Sequence, residues 1–180
     1  MTVEPFEESS DLWAPIPVWT LALIQRVGWT ASSGGRPPQI LLGGNLELAL
    51  AHLAPGAPHV GLGDIVDPEQ PYAVNIARDK ALLVMPAPSH CASGWRAEGW
   101  SATPAESSYQ ILEFAGDGSF NLLRAAASAD LDATSRSAAV QVGGFACLLY
   151  RRSPAVAVLH IEQALAPALW TWLSMHGESP

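Results

Sequence analysis

The chain has 180 residues and a formal net charge of −8, with 49% hydrophobic and only 14% charged residues. The longest basic cluster is Arg151–Arg152, so the sequence lacks the basic surface that binds nucleic acid. No apolar run approaches the roughly 18 residues of a membrane-spanning helix. These totals indicate one acidic globular domain that is rich in apolar surface for a chain that works alone.

The N-terminal region predicts an extended arm over residues 1–17, because Pro15 and Pro17 enforce extended backbone. Its first eleven residues are acidic and lack the positively charged start of a secretory signal. Two cysteines, Cys91 and Cys147, are too few for a disulfide framework. We therefore expect a cytoplasmic protein with two reduced thiols.

Residues 18–180 are predicted to form one domain built of two halves, 18–92 and 106–176. At the start of the first half, residues 18–27 fit either a buried strand or a short helix, because the length of the run does not decide between them. Residues 30–38 are rich in Ser, Gly and Pro. That composition predicts a loop.

A helix is predicted after the apolar run that begins at Gln39. Asn45 is its candidate N-cap and Pro55 ends it. Residues 72–85 contain two apolar runs around a charged centre, which indicates a hairpin or a broken strand. Residues 86–100, rich in Pro, Ser and Gly, would connect the two halves. The apolar face of the helix would consist of Leu46, Ala49, Leu50 and Leu53.

The second half begins with a predicted strand at 109–116, followed by a helix over 118–129 that Asp117 would cap. Phe120, Leu123 and Ala127 would share one face of this helix. Residues 138–152 are predicted to be one strand, kinked at Gly143–Gly144.

A third strand at 155–162 and a helix at 163–177 close the chain. The resulting order β-α-β-β-α is typical of a split βαβ unit, so the predicted fold class is α+β with ferredoxin-like split βαβ units. Both halves contain a Gln-Ile-Leu strand opening before a helix, which suggests a degenerate copy of the unit in the first half. Pro167 fits only in the first turn of the last helix, and Gly177 ends that helix. Its buried stripe would consist of Leu165, Leu169, Trp172 and Met175 or His176.

Residues that commonly carry chemistry are scattered. Adjacent His90 and Cys91 would point apart on a strand, so a loop or packing role is favoured over a dyad. His160 lies among apolar residues and is predicted to be a core histidine. No serine-nucleophile elbow or phosphate-binding loop is present in the sequence. None of the five histidines pairs with another ligand at a metal-site spacing; they are His52, His59, His90, His160 and His176.

Two stretches, one rich in glycine and one acidic, are candidate binding sites for charged ligands. The turn at 115–119 begins a helix and could bind an anion, but Asp117 already supplies the negative charge there, which favours capping. The pair Asp130 and Asp132 could hold a cationic substrate or simply solvate a loop, and the loop role is favoured. The sequence therefore assigns no catalytic, cofactor-binding or metal-binding residue.

Seven tryptophans are many for one small core. Either some of them lie at an interface, where Trp is enriched, or all seven are inside the fold. In the same way, the N-terminal arm with Trp13 and Trp19 either docks on a neighbouring subunit or folds back over an open sheet edge.

Three stretches carry a resemblance to a known family: ILEFAGDGSFNLLRAAASADLD, VQVGGFACLLYRR and AVAVLHIEQALAPALWTWL. They resemble the gamma subunit of heterotetrameric sarcosine oxidase over residues 109–173. Gly116, Asp130-Leu131 and Trp170 to Leu173 match the family pattern. That subunit is related in fold to the folate-binding domain of aminomethyltransferase.

The resemblance implies a non-catalytic subunit of a four-subunit flavoenzyme that oxidatively demethylates an N-methyl amino acid or amine. It implies FAD, FMN, NAD and tetrahydrofolate in larger alpha and beta subunits, zinc in a small delta subunit, and no cofactor in this chain. The alternative is a freestanding protein that binds tetrahydrofolate or transfers its one-carbon unit. For that alternative, Asp130 stands where folate-binding relatives have a folate-facing Asp, but Ala129 replaces their usual Asn.

Overall fold

The computed structural model describes residues 16–88, 90–127, 129–132 and 134–176. Within these residues the chain forms twelve strands and three helices. In chain order the elements are β1 (Leu23–Arg26), β2 (Trp29–Ser33), β3 (Gln39–Gly44), α1 (Leu46–Leu53), β4 (His59–Val60), β5 (Tyr72–Ala77), β6 (Lys80–Val84), β7 (Gly94–Trp95), β8 (Trp100–Pro104), β9 (Tyr109–Ala115), α2 (Asp117–Ala126), β10 (Ala139–Val142), β11 (Phe145–Ser153), β12 (Val156–Glu162) and α3 (Ala166–His176).

The strands form two six-stranded sheets. Sheet A has the spatial order β1-β2-β9-β12-β11-β10, and sheet B has the order β4-β5-β6-β3-β8-β7. Strand β12 lies between β9 and β11, and β6 lies between β3 and β5, so each β-α-β unit is split by an antiparallel strand. The predicted α+β class with split βαβ units is confirmed, and the first half repeats the topology of the second.

The alternation of side chains along the strands separates three apolar cores. On β12, Leu159 and Ile161 pack with α2 and α3, whereas Val158 packs in the layer between the sheets. On β6, Leu83 packs with α1 and Leu82 belongs to the layer between the sheets. The layers therefore follow the order α2 and α3, sheet A, sheet B, α1.

Helix α1 forms as the sequence predicts. The Asn45 side chain accepts a hydrogen bond from the Leu48 N–H at 3.2 Å, which satisfies one of the free donors of the first turn. The helix ends at Leu53, before Pro55. Its buried residues, which pack on sheet B, are Leu46, Ala49 and Leu50.

Helix α2 begins differently from the prediction. The N-cap is Gly116, with φ 95°, and no side chain caps the helix, so the predicted capping role of Asp117 is wrong. The turn lies against the β1–β2 turn, where the Gly118 N–H donates to the Gly28 carbonyl at 3.1 Å. A Cβ at position 116 would overlap that same carbonyl oxygen. Gly116 therefore serves the close approach of two turns.

Residues 138–152 form a hairpin and not the predicted kinked strand. Gly143 and Gly144 have φ of 58° and 87°, and they join β10 to β11 as a two-residue turn. Positive φ at both central residues is the requirement of a type I′ hairpin turn. A Cβ on Gly143 would lie 2.9 Å from the Trp172 indole, so glycine also makes room for α3.

Two segments predicted to lack strands contain them. The predicted loop at 30–38 begins within β2, which pairs with both β1 and β9. The predicted connection at 86–100 contains β7 and the start of β8, and these strands belong to sheet B. Sheet A thus contains strands from both predicted halves. Strands β1 and β2 come from 18–92, and β9 to β12 come from 106–176.

The predicted stripe of helix α3 is confirmed at Leu169, which is fully buried, and at Trp172, which packs against the core, but is wrong at Leu165 and Met175. Leu165 lies before the helix and is 38% exposed, and Met175 is 62% exposed. Pro167 occupies the first turn as predicted. The side chain of His176 and all of Gly177 lie outside the described residues. The fully buried residues of the helix are Ala166, Leu169 and Leu173.

The N-terminal segment returns to its own domain. A 3-10 turn at Trp19–Leu21 precedes β1, so residues 18–27 are a turn and an edge strand. Trp19 is buried and meets the Trp170 ring edge-on at 5.7 Å between ring centroids, so docking of Trp19 on another subunit is wrong. Trp13 and the first fifteen residues of the predicted arm lie outside the described residues. Trp95 is 67% exposed, so the tryptophans are not all inside the fold.

Candidate functional site

An open cleft of about 1640 Å³ lies where the N-terminal end of α1, strands β4 and β5 and the loop 134–137 meet. Glu47 of α1, His59 of β4 and Asn75 of β5 project polar groups there. Elements from both halves of the chain build its wall. The cleft therefore brings titratable side chains from separate elements to one concave surface.

His59 has a fixed orientation in this cleft. The Asn75 amide donates to the Arg136 carbonyl at 3.0 Å, so its oxygen faces His59 Nδ1 at 2.8 Å. Because that oxygen only accepts, Nδ1 of His59 carries the proton. Nε2 lies 3.7 Å from Oε1 of Glu47. Nε2 of His59 thus faces the Glu47 carboxylate in the cleft.

The loop 134–137 is fixed to the wall of the cleft by main-chain contacts. The Leu62 N–H donates to the Ser137 carbonyl at 3.1 Å, and the Ser135 N–H donates to the Leu62 carbonyl at 3.2 Å. The Ser135 carbonyl oxygen occupies the space where a Cβ of residue 61 would stand. Gly61 therefore permits the close approach that places Arg136 above Asn75.

Charges of both signs line the cleft. Glu47, Asp64 and Asp79 alternate there with Arg78 and Arg136. Asp64 already uses its carboxylate to accept the Gly61 N–H at 2.8 Å. Acidic and basic side chains thus line the same cleft.

The acidic loop weighed in the sequence as a cation site is bound internally. Asp132 accepts from Arg151 at 2.8 Å and also from Arg124. Hydrogen bonds from Arg151 and then Arg124 lower the pKa of the Asp132 carboxyl. Arg151 also donates to the Leu131 carbonyl at 2.8 Å and lies 4.8 Å from the Phe120 ring centroid. Two guanidinium groups thus neutralise Asp132 and hold the loop on the domain.

Asp130 has a local role in the same loop. Its Oδ1 accepts the Asp132 N–H at 3.0 Å, which is the geometry of an Asx-turn. The side chain is exposed. The two carboxylates therefore have different partners: Asp130 accepts a main-chain N–H, whereas Asp132 accepts from two arginines.

We expect Asp130→Ala to lower the free energy of unfolding by about 1 kcal/mol, because one turn hydrogen bond is lost. Urea denaturation measures this change. Asp67→Ala is the matched control, since Asp67 accepts the Glu69 N–H at 3.0 Å in another exposed turn. A loss several-fold larger than that of the control would contradict a purely local role.

The space beneath this loop is small. A cavity of about 10 Å³ lies among Leu62, Phe120, Leu131, Tyr150 and Arg151. That volume holds about one water molecule, whereas pockets for ligands of drug size measure roughly 300–1,000 Å³. This cavity therefore does not fit the ring system of tetrahydrofolate.

A buried polar chain crosses the layer between the sheets. The Tyr72 and Tyr150 hydroxyls lie 2.9 Å apart, and the Tyr150 hydroxyl lies 2.8 Å from Nε2 of His160. Loss of hydration on burial lowers the pKa of His160 to about 3 and raises the pKa of Tyr150 well above its ordinary value. All three side chains are neutral and buried, so the predicted core role of His160 is confirmed.

The other candidates do not converge. His52 and His90 are exposed on separate parts of the chain, and both cysteines are free thiols. Burial raises the pKa of the Cys147 thiol to about 12, which makes it unreactive. Ser89, next to His90, lies outside the described residues. Over 16–88, 90–127, 129–132 and 134–176, no group of three or more His, Cys, Asp or Glu side chains is placed to hold a metal ion.

A second candidate site is a surface that we call the N-terminal apolar edge. Strand β1 forms the outer edge of sheet A, and only one charged residue, Arg26, occurs between positions 16 and 33. Its guanidinium donates to the Ser174 carbonyl of α3 at 2.8 Å. Exposed apolar patches of this kind mark interaction sites. The edge consists of Ile16, Val18, Leu21, Leu23 and Val27, which are 59% to 101% exposed.

Sequence reasoning missed the cleft and found the edge only in part. His59, Asn75 and Arg136 are far apart in sequence and match no motif, so only the fold brings them together. The edge has a visible signal, an apolar run after two prolines in which Arg26 is the one charged residue, although the run itself predicts a buried strand or a short helix.

The chain is similar in fold to chains of known structure. A chain in the structure of heterotetrameric sarcosine oxidase from Corynebacterium sp. U-96 in complex with pyrrole 2-carboxylate has a similar fold, with a TM-score of 0.63 and 14% sequence identity. The similarity covers 87% of this chain and 87% of that chain. No protein-family model matches the sequence, and no curated protein is significantly similar to it. At this identity the match shows a shared fold.

None of the helices within the described residues has both the length and the apolar character needed to span a membrane.

Proposed function

We propose that this chain is a non-catalytic, gamma-type subunit of a heterotetrameric, flavin-dependent complex like sarcosine oxidase. The complex would oxidatively demethylate an N-methyl amino acid or amine in the cytoplasm. The observation that carries the proposal is the fold shared with a chain of a heterotetrameric sarcosine oxidase over 87% of both chains.

The fates of the polar side chains support a structural role. Asp132 is neutralised by Arg124 and Arg151, Asp130 closes its own turn, and His160 is fully buried. Groups that serve packing in this way are not available to a substrate. His59 is the exception, since it faces Glu47 in an open cleft, but no group of three or more His, Cys, Asp or Glu side chains among the described residues is placed to hold a metal ion.

The N-terminal apolar edge supports membership of a complex. Leu21 is 80% exposed and Leu23 is 59% exposed on an outer strand. Soluble monomers usually protect such edges with charged residues. A surface of this kind is expected to be covered in the working assembly.

The proposal assigns the redox chemistry to partner subunits. We expect FAD, FMN, NAD and tetrahydrofolate in larger alpha and beta flavoprotein subunits and zinc in a small delta subunit. The present chain would contribute a folded surface that completes the assembly.

The test is isolation of the chain, with a C-terminal tag, from its own source under native conditions. Native mass spectrometry should show it in a fixed ratio with larger chains that carry flavin. With sarcosine as the first probe substrate, the isolated complex should release formaldehyde. Other N-methyl amino acids, tested in parallel, would identify the preferred substrate.

Two results would overturn this assignment. The first is a chain that stays alone at physiological concentration while the flavoproteins of the same source assemble without it. The second is turnover of an N-methyl substrate by the purified single chain.

A freestanding folate protein is the second candidate, favoured only by the position of Asp130. It predicts that added tetrahydrofolate raises the melting temperature of the lone chain, because a ligand that binds only the native state stabilises it. The cavity of about 10 Å³ below the loop argues against this. We expect no shift with tetrahydrofolate for either the wild-type chain or Asp130→Ala.

A further inference from the structure

The cleft between α1, β5 and the loop 134–137 contains arginines that the chain itself does not use. Arg78 and Arg136 both line it, and neither guanidinium makes a hydrogen bond or an ion pair with another described residue. A guanidinium presents several donors in a planar fork that suits a carboxylate. Other arginines of the chain do donate to its own oxygen atoms: Arg26, Arg96, Arg124, Arg151 and Arg152.

The main chain beneath these two arginines is held in place. The Arg136 carbonyl accepts the Asn75 amide at 3.0 Å, and the Ser137 hydroxyl donates to the Ile76 carbonyl at 2.9 Å. The loop is thus tied along β5, and Arg78 directly follows the last residue of the same strand. Little main-chain ordering therefore opposes the binding of a ligand by the two arginines.

The α1 side of the cleft presents acceptors. Glu47 has a largely exposed carboxylate, which lies 3.7 Å from Nε2 of His59. Since Nδ1 of His59 donates to Asn75, Nε2 of the neutral ring accepts. Asp79 also lines the cleft, and its carboxylate makes no ion pair with the described residues. An amine that entered the cleft would thus find a carboxylate and a ring nitrogen to which it can donate.

A ligand of one charge sign would use only half of these groups. A purely anionic ligand would lie near the carboxylates of Glu47 and Asp79, which repel it, and a phosphate with two charges would be repelled most. A purely cationic ligand would leave both arginines unused. The cleft of about 1640 Å³ exceeds the roughly 300–1,000 Å³ of pockets for ligands of drug size, so we expect the two charged ends of the ligand to lie apart.

We propose that this cleft binds a zwitterionic ligand, a short peptide or amino carboxylate with its amine and its carboxylate at separate ends. Arg78 and Arg136 would bind the carboxylate, and Glu47 and Nε2 of His59 would accept from the amine. The inference goes beyond the proposed function, because a structural subunit needs no site of this kind. It does not depend on assembly, since all the residues belong to one chain.

The experiment is an NMR titration of the full-length chain with amino carboxylates of increasing length, from glycine to ε-aminocaproate, and with triglycine. Affinity should rise to an optimum length, because one separation matches both ends of the site. Signals of the His59 ring and of the loop 134–137 should shift together. Acetate and methylammonium, which carry one charge each, are the matched controls and should bind about tenfold more weakly or worse than the best probe.

Substitutions at each end of the site give an independent readout. Arg136→Gln and Glu47→Gln should each lower the affinity for the best probe about tenfold or more. Both side chains are exposed, so both variants should keep the wild-type melting temperature. Arg36→Gln is the matched control, since Arg36 is an exposed arginine that does not line the cleft, and it should bind the probe as wild type does.

Three results would overturn the inference. Acetate that binds as tightly as the best amino carboxylate would show an anion site and not a zwitterion site. The second is that no probe binds more tightly than about 10 mM. The third is probe binding to the lone chain that the assembled complex has lost, which would assign the cleft to a charged segment of a partner. None of these results bears on whether the chain assembles with flavoproteins, so the proposed function is tested separately.

Discussion

Acidification from about pH 7.5 to about pH 4.5 is expected to lower the free energy of unfolding by roughly 3 kcal/mol through His160 alone. In the native state burial lowers the pKa of His160 to about 3, against an ordinary value of 6.5. The unfolded chain therefore binds a proton that the native chain does not bind. Stability through this group is complete above the unfolded pKa and is lost as the pH falls from 6.5 toward 3.

Urea denaturation of wild type and His160→Gln at both pH values measures this effect. Glutamine keeps a hydrogen-bonding partner for Tyr150 but does not titrate, so the variant should lose about 3 kcal/mol less on acidification. Asp132, whose pKa its arginine partners lower, and the Arg152–Glu113 ion pair are present in both proteins and cancel. His90→Gln, at an exposed position, is the control and should behave as wild type.

Equal pH dependence in wild type and His160→Gln would contradict the burial of a neutral imidazole. Tyr109 and Tyr150 contact the ring, and Tyr72 contacts Tyr150. All three stay protonated throughout this range, because burial raises the pKa of each. These tyrosines therefore do not contribute to the pH dependence of the free energy of unfolding in this range.

Gly61→Ala is expected to lower the free energy of unfolding by about 3 kcal/mol. A methyl group there would overlap the Ser135 carbonyl oxygen, and overpacking of this kind typically costs about 1–3 kcal/mol. The loop must move away, which also breaks the two main-chain hydrogen bonds that Leu62 makes to Ser135 and Ser137. Each adds about 1 kcal/mol.

The same substitution should disorganise the cleft. Once the loop moves, the Arg136 carbonyl no longer fixes the Asn75 amide, and His59 loses its preference for a proton on Nδ1. Nitrogen NMR of the His59 ring reports this tautomer directly. Gly35→Ala is the control, because a Cβ at Gly35 meets open space, and it should change stability by no more than about 0.5 kcal/mol. A Gly61→Ala protein as stable as this control would show that the loop is not fixed.

The fold could be predicted where local signals agreed with the tertiary arrangement. Asn45 and the spacing of Leu46, Ala49 and Leu50 define α1, and the order of elements after Tyr109 reveals a split βαβ unit. Where small or turn-forming residues occupy strands, the local sequence pattern did not predict the strand. The segment from Trp100 to Pro104 alternates as a strand should, but the glycines and prolines around it suggested a connection.

The glycine pair in the second half shows what a correct rule would have required. Gly143 and Gly144 were interpreted as a kink, although Gly-Gly between two apolar runs is also a hairpin signal. For α3 the spacing alone did not select the buried face. That face depends on Ala166 and on the space that Gly143 leaves for Trp172, which only the packed structure contains.

The candidate sites were less predictable than the fold. His160 could be assigned to the core because all its sequence neighbours are apolar. In contrast, His59 meets Asn75 and Glu47 through three separate elements, and Asp132 meets Arg124 and Arg151 across a helix and a strand. Contacts between residues so distant in sequence follow from the sheet order, which no local pattern in a single sequence determines.

The interleaved order of the sheets has a consequence for biosynthesis. On the ribosome, β1 and β2 are synthesised before β9, with which β2 pairs. Thr30 therefore cannot pair with Ala115 until the strands of sheet B, which lie between them in the chain, have also been synthesised. Pairings between such distant parts of a chain form slowly and leave unpaired edges during the delay. The nascent polypeptide thus leaves this stretch, in which Arg26 is the one charged residue between positions 16 and 33, unpaired with β9 until β9 has been synthesised, and chaperones that recognise apolar stretches would have time to bind there.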